Sequence, residues 1–295
     1  KIARVGWTST TELFSAEAIA EIERLHRRFA TYSAFPARPV RFLQNLRRDV
    51  AAKTFQPEHS GPVISEGDVT RAFSRETGLP LWLLDDRIPL DLAKADTWIS
   101  SRVIGQPEAV SLIVNLLATL KAKLNRDHKP LASFLFIGPT GVGKTEMAKT
   151  LAEYLFGSSG NNDSRLIRID MSEYADAFAV QRLIGGTTEA EGVLTARVRE
   201  QPFAVVLLDE FEKAHHSLFD LLLQILGEGR LTDAAGRVAD FRNCVVIMTS
   251  NLGAATFAKG SVGFGLSDSD VRQSRDHFEK SVRDFVRPEL FNRID

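Results

Sequence analysis

Eight residues constrain this chain more than any others: Gly138-Pro139-Thr140-Gly141-Val142-Gly143-Lys144-Thr145 satisfy the pattern G-x-x-x-x-G-K-[ST]. The run before them, Ser133–Ile137, is apolar and β-prone, and Glu146–Phe156 after them is helical in pattern, so the loop joins a strand to a helix. Glycines let such a loop curl until successive main-chain N–H groups point inward at a helix N-terminus, where the dipole favours negative charge. Lys144 then reaches the outer phosphates of a nucleotide as a point charge, and the Thr145 hydroxyl is a hard oxygen ligand for Mg²⁺. From average residue usage such a pattern arises by accident in on the order of one chain in a hundred of this size, and the strand-loop-helix context makes it rarer still.

Three more short apolar runs follow, Leu166–Asp170, Phe203–Leu208 and Asn243–Thr249, separated by helical segments. Near-continuous apolar strands are buried on both faces, which predicts an α/β fold: a parallel sheet covered by helices. Upstream the pattern is different. Ser15 caps a helix predicted over 15–31, with Ile19, Ile22, Leu25 and Phe29 on one face. Pro36 and Pro39 interrupt the pattern before a second helix carrying Val40, Leu43, Leu46 and Val50. Ser65 and Asp68 form a capping signal for a short helix that ends at Gly78 and Pro80. The expected division is a small helical subdomain over 1–60, a helix and connector over 61–95, and a large α/β domain over 96–295.

The chain's 37 basic and 38 acidic side chains give a formal charge of −1. That balance excludes a bulk polycation built to neutralise phosphate backbones, so no nucleic-acid partner is expected. No apolar run approaches the roughly 18 residues that span a bilayer, and no membrane partner is expected either. The single cysteine, Cys244, excludes an internal disulfide framework and fits a reducing compartment, by default the cytoplasm. Lying in an apolar run, it reads as a small core residue. His215 and His216 read as the solvated start of a helix, too close in sequence to share a metal from one helical face. The first methionine is Met147 and no leader-like stretch follows Lys1-Ile2-Ala3-Arg4, so the chain reads as a fragment.

Two further sets of residues complete a candidate site. Val205-Val206-Leu207-Leu208 runs into Asp209-Glu210, putting two carboxylates at the carboxyl end of a buried strand, where α/β sheets bind ligands. Beside a phosphate loop, Asp209 is suited to hold Mg²⁺ through water and Glu210 to orient and activate the attacking water. The last apolar run ends Met248-Thr249-Ser250-Asn251, bringing an amide to the same sheet edge. Asn251 either bonds the γ-phosphate or the water, or is a routine turn former at a strand end.

These residues, in this order, resemble the AAA+ ATPases, and within them the second ATPase ring of the Clp unfoldase and disaggregase family. Further blocks carry the likeness: Val103-Ile104-Gly105-Gln106, Asp170-Met171-Ser172-Glu173-Tyr174, Glu212-Lys213-Ala214-His215, Gly229-Arg230-Leu231-Thr232-Asp233, Gly236-Arg237, Asp240-Phe241-Arg242-Asn243 and Thr249-Ser250-Asn251-Leu252-Gly253. They cover the chain from about residue 60 to 295. The resemblance implies a P-loop NTPase (AAA+) fold, Mg²⁺-dependent hydrolysis of ATP to ADP and phosphate, and remodelling or unfolding of protein clients. It makes Gly138–Thr145 the Walker A loop, Val103 and Ile104 part of the adenine side, Glu210 the catalytic Walker B glutamate and Asn251 the sensor 1 residue. Arg293, within Arg287-Pro288-Glu289-Leu290-Phe291-Asn292-Arg293-Ile294-Asp295, is implied as an arginine finger acting on a neighbour's γ-phosphate. That role requires a ring of identical subunits, usually a hexamer.

The resemblance has departures. After Leu183-Ile184-Gly185 the family carries an aromatic loop that grips a translocating polypeptide, whereas this chain reads Gly186-Thr187-Thr188-Glu189-Ala190-Glu191-Gly192. Small and acidic side chains offer little apolar area to hold an extended chain. Either another loop or ring does the gripping, or the protein is a non-threading ATP-dependent regulator or scaffold acting on a fixed partner. The family also continues past the arginine finger into a fifth strand beside the first and a lid, so the ending at Asp295 reads as truncation or disorder. Residues 11–55 loosely resemble the lid of a preceding module, with Pro36-Ala37-Arg38-Pro39 similar to its sensor 2 motif. Arg38 then serves an upstream site, or is an ordinary loop arginine between two prolines. Val262-Gly263-Phe264 resembles the apolar tripeptide by which protease-linked members dock on a peptidase ring; it docks there or packs on its own domain.

Overall fold

The computed structural model describes residues 13–29, 36–57, 63–122, 128–157, 165–186, 191–254 and 268–295. The chain divides into two compact units, Lys1–Leu90 and Asp91–Asp295. Among the described residues the first unit holds α1 (Ala16–Phe29), α2 (Ala37–Ala51), α3 (Glu66–Thr77) and α4 (Leu81–Leu84). The predicted stripe on α1 is its buried side: Ile22, Leu25 and Phe29 lie in a core with Phe42 and Leu46 of α2 and Val69 and Phe73 of α3. Ser65 caps α3 reciprocally, its Oγ accepting from Asp68 N at 3.3 Å while its own N donates to Asp68 Oδ2 at 2.9 Å. Such a cap stabilises a helix by about 1 kcal/mol.

Two expectations for this unit change. Pro36 stands at the N-cap of α2, so Arg38 and Pro39 lie in its first turn and not in a loop. Proline is tolerated there because a first-turn N–H has no intrahelical acceptor to lose. Arg38 lies 3.7 Å from Glu76 of α3. The stretch expected as a connector from 61 also belongs here: α3 packs on α1, Phe14 and Ile64 form a parallel bridge, and the unit runs to Leu90.

The second unit runs α5 (Leu92–Ser100), α6 (Pro107–Lys121), β1 (Ala132–Ile137), α7 (Lys144–Phe156), β2 (Leu166–Asp170), α8 (Ala179–Ile184), α9 (Val193–Glu200), β3 (Val205–Asp209), α10 (Leu218–Glu228), β4 (Arg230–Thr232), β5 (Val238–Asp240), β6 (Val245–Ser250), α11 (Asp268–Phe285) and α12 (Pro288–Phe291). Four strands form a wholly parallel sheet in the order β1-β6-β3-β2. Alternate residues share a face. Ile167, Ile169, Val206, Leu208, Val246 and Met248 join α8, α9, α10 and the chain from Val282 to Leu290 in one core. Val205, Leu207, Val245 and Ile247 are left for the opposite face, and α7 crosses β2, β3 and β6. Register brings Ile137 opposite Ser250 and Asp170 opposite Asp209, so the strands end together at one carboxyl edge.

β4 and β5 form an antiparallel hairpin that the sequence pattern did not predict; three residues are too few to display alternation. The far edge of β1 is partly paired by the chain itself, with Asp295 N donating to Ser133 O at 2.9 Å and Ser133 N to Asp295 Oδ2 at 2.9 Å. His215 and His216 precede α10 rather than opening it. His215 is half-buried, its N donating to Tyr174 O at 2.9 Å, and only His216 is exposed.

Cys244 is fully buried with its Sγ 3.6 Å from the Pro202 carbonyl, and burial pushes its thiol up to about 12. It therefore stays a protonated, unreactive thiol through pH 8. A colourless thiol reagent that turns yellow on reaction should label it only after unfolding; rapid labelling of the native protein would contradict this placement.

Candidate functional site

The carboxyl edge of the sheet is where the candidate residues meet. Between β1 and α7 the chain turns through Gly141 (φ 87°) and Gly143 (φ 98°), left-handed conformations that suit glycine. Nothing lies within 4 Å of a Cβ built on Gly141, so backbone conformation and not crowding selects glycine there. Lys144 opens α7 and folds back over the loop, its Nζ donating to Gly138 O at 2.7 Å, Pro139 O at 2.8 Å and Asn251 Oδ1 at 2.9 Å. Burial lowers its pKa, with Glu212, Asp209 and Glu210 pulling the other way.

Asp209 ends β3. Thr145 Oγ1 lies 3.4 and 3.5 Å from its two carboxylate oxygens, and the Thr249 hydroxyl donates to Oδ1. Glu210, the next residue, adopts the left-handed conformation (φ 55°), rare outside glycine. Strain of this kind costs on the order of 1 kcal/mol or more and collects at working sites. Here Glu210 N donates to Thr249 Oγ1 at 3.0 Å, so one hydroxyl orients both carboxylate residues. The Glu210 carboxylate lies 2.5 Å from Lys213 Nζ and accepts from Asn251 Nδ2 at 3.5 Å. Five of the predicted site residues, Lys144, Thr145, Asp209, Glu210 and Asn251, are thus linked by hydrogen bonds, with Thr249 joining Asp209 to Glu210, between the start of α7 and the ends of β3 and β6.

Two participants carried no assigned role from sequence. Glu212 Oε1 accepts from Asn251 N at 3.0 Å and fixes the backbone that carries the amide. Arg168 of β2 donates twice to Asp209. Its signal was a lone basic residue inside an apolar run.

Val103 is buried beside the loop, and Gln106 Nε2 donates to Val142 O at 3.3 Å, but Ile104 is 84% exposed. A cavity of about 970 Å³ opens here, lined by Val103, Gln106, Val142, Lys144, Met147 and Phe291 among others. Arg293 is not among the linked residues: its guanidinium donates to the Leu223 carbonyl of α10 and packs where a Cβ on Gly227 would collide with it. Residues 187–190 of the expected channel loop, and Val262, Gly263 and Phe264, lie outside the described residues. The ends of the channel segment do meet: a Cβ on Gly192 would strike the main chain of Leu183–Gly185. Glu191 pairs with Arg199 and, at 3.1 Å, with Arg237, and both arginines share Asp233 at 2.9 and 2.8 Å.

The donor set suits a nucleotide with Mg²⁺. The loop supplies Lys144, and Thr145 and Asp209 are adjacent hard oxygens. Among the described residues no group of three or more His, Cys, Asp or Glu side chains forms a dedicated metal cage. Mg²⁺ is typically held by one or two protein oxygens together with phosphates and waters.

A phosphate loop at the carboxyl edge of a parallel sheet, facing a strand that ends in two carboxylates, defines a P-loop nucleoside triphosphatase. Residues 129–295 match the model of the AAA domain (Cdc48 subfamily), more than half of the chain, and the chain belongs to that family. The chaperone protein ClpB of Bacillus cereus is 46% identical over 237 residues, 79% of this chain and 27% of that protein. A ClpA homologue of Porphyra purpurea, named as the ATP-binding subunit of an ATP-dependent Clp protease, is 38% identical over 91% of this chain and 34% of its own length. Among solved structures, a closed-state reconstruction of Hsp104 with ATPγS and FITC casein superposes with a TM-score of 0.75 at 32% identity, over 95% of this chain and 47% of that one. An S. cerevisiae Hsp104–ADP complex gives 0.73 at 33% identity. The chain spans about a third or less of the curated relatives named here.

Proposed function

We propose that this chain is the Mg²⁺-dependent ATP-hydrolysing core of a Clp-type ring, a hexamer, that remodels or unfolds protein clients. The observation that carries the reading is the hydrogen-bonded convergence of Lys144, Thr145, Asp209, Glu210 and Asn251 at one sheet edge. In this reading the loop amides of 138–145 and Lys144 bind the phosphates, and Val103 with Ile104 borders the base. Thr145 and Asp209 hold the cation, which when bound would neutralise charge on the phosphates. Glu210 takes a proton from the attacking water, Asn251 orients that water, and Arg293 reaches a neighbouring subunit's site. The names of the relatives, chaperones and Clp ATP-binding subunits, support the client class. Among the described residues no helix is long and apolar enough to cross a membrane. A cytoplasmic location is supported by the lone buried cysteine, although one relative, ClpC2 of Arabidopsis thaliana, is named as chloroplastic.

A second reading, a non-threading regulator acting on a fixed partner, draws on one observation: Glu191 is clamped by Arg199 and Arg237 beside the Gly185–Gly192 approach. Docking of Val262–Phe264 on a peptidase belongs to the first reading alone. The full-length protein should hydrolyse ATP and, in the same tube, extinguish the fluorescence of a tagged folded substrate. Turnover without unfolding selects the regulator, and absence of nucleotide turnover overturns the first reading.

A further inference from the structure

Arg168 breaks the apolar run of β2, and its guanidinium donates to Asp209 Oδ2 from both Nε (3.0 Å) and Nη2 (2.7 Å). The Arg168 side chain is 51% exposed, whereas that of Asp209 is only 9% exposed. The opposite carboxylate oxygen takes the Thr249 hydroxyl, with Thr145 shared between the two. Oδ2 is therefore committed to a resident positive charge at the very residue proposed to hold the divalent cation. A hydrated dication drawn to Asp209 meets both a competitor for the lone pairs and a like charge a few ångströms away. Charge-assisted bonds of this kind are among the stronger ones, but half-exposure lets the long arginine side chain swing out at modest cost.

We infer that Arg168 is a positioning residue that sets the affinity of the nucleotide site for Mg²⁺. It holds Asp209 in place through Oδ2 and must yield that oxygen, wholly or in part, when the cation and its waters engage Asp209 and Thr145. The same charge supports nucleotide phosphates when divalent cation is scarce. Arg168 thus lowers the dependence of nucleotide binding on Mg²⁺: it strengthens the cation-free complex and weakens capture of the cation. Arg197 Nη1 donates to the Arg168 carbonyl at 3.2 Å, which holds the strand in place while the side chain moves. The inference rests on Asp209 being the cation's ligand.

The test uses full-length protein saturated with ADP, so that no turnover intervenes. Mn²⁺ binding is followed by electron paramagnetic resonance, and binding of a fluorescent ADP is measured separately in EDTA. Arg168→Gln should tighten Mn²⁺ by roughly three- to tenfold, the range expected for removing a partly exposed charge-assisted contact, and should weaken ADP binding in EDTA. Arg168→Lys, a point charge without the planar fork, should fall between the two. A correctly folded Arg168→Gln with Mn²⁺ affinity unchanged or weakened overturns the inference while leaving the site assignment intact, provided Asp209→Asn loses Mn²⁺. If Asp209→Asn binds Mn²⁺ as well as the unaltered protein, the assignment of Asp209 fails, and the inference fails with it.

Discussion

Glu210→Gln is expected to lower ATP turnover by roughly 10²- to 10⁴-fold, the usual contribution of a positioned general base, while nucleotide binding persists. The amide keeps the size of the carboxylate and can still accept from Asn251 Nδ2, so the linked side chains stay in register. The left-handed backbone at residue 210 is anchored through Thr249, not through the substituted carboxylate, and should survive the change. What is lost is the capacity to take a proton from water. With ATP held and not cleaved, ring assemblies of the full-length protein should accumulate, which multi-angle light scattering reads directly. Turnover near the unaltered rate would remove Glu210 from the reaction; monomers alone at saturating ATP would remove the ring.

The second large effect is expected at Arg293. Its guanidinium rests on the Leu223 carbonyl over Gly227, with no hydrogen bond to the phosphate-loop residues of its own subunit. An arginine acting across a subunit boundary contributes roughly 10³-fold or more to turnover, so Arg293→Ala should be nearly inactive although it binds nucleotide. Mixing separates this from misfolding. In rings that combine Arg293→Ala subunits with Glu210→Gln subunits, some boundaries pair an intact glutamate with a neighbour's intact arginine. Activity should reappear on mixing two inactive preparations. No recovery, from subunits that assemble and melt normally, would confine Arg293 to a role within its own chain.

Much of this architecture was readable from residues, for identifiable reasons. β3 and β6 are buried along their whole length, so each had to be a continuous apolar run, and Asp209 and Asn251 were placed by where those runs stop. The phosphate loop was readable because its glycines answer a backbone demand that no other residue meets cheaply. Strand order was not readable: β1 pairs with β6, more than a hundred residues away in sequence, and apolar runs carry no mark of which neighbour they will take. The left-handed turn at Glu210 left no trace either, since nothing in a D-E pair announces a positive φ. Arg168 and Glu212 became visible only when parallel register brought strand ends together. The prolines at 36 and 39 misled because they stop a helix only from its interior, and both fall at the start of α2.

The close approach of Gly185 and Gly192 separates two things that usually constrain each other, the length of a loop and the geometry of its frame. Because the chain leaves α8 and enters α9 through a neck with no room for a side chain at Gly192, the segment between is a closed excursion. Lengthening such an excursion raises its closure cost only logarithmically, about 0.6 kcal/mol for each doubling. The sheet and the nucleotide site are therefore insulated from whatever that segment becomes. The sequence of that segment can be exchanged, or lengthened, without renegotiating the fold around it.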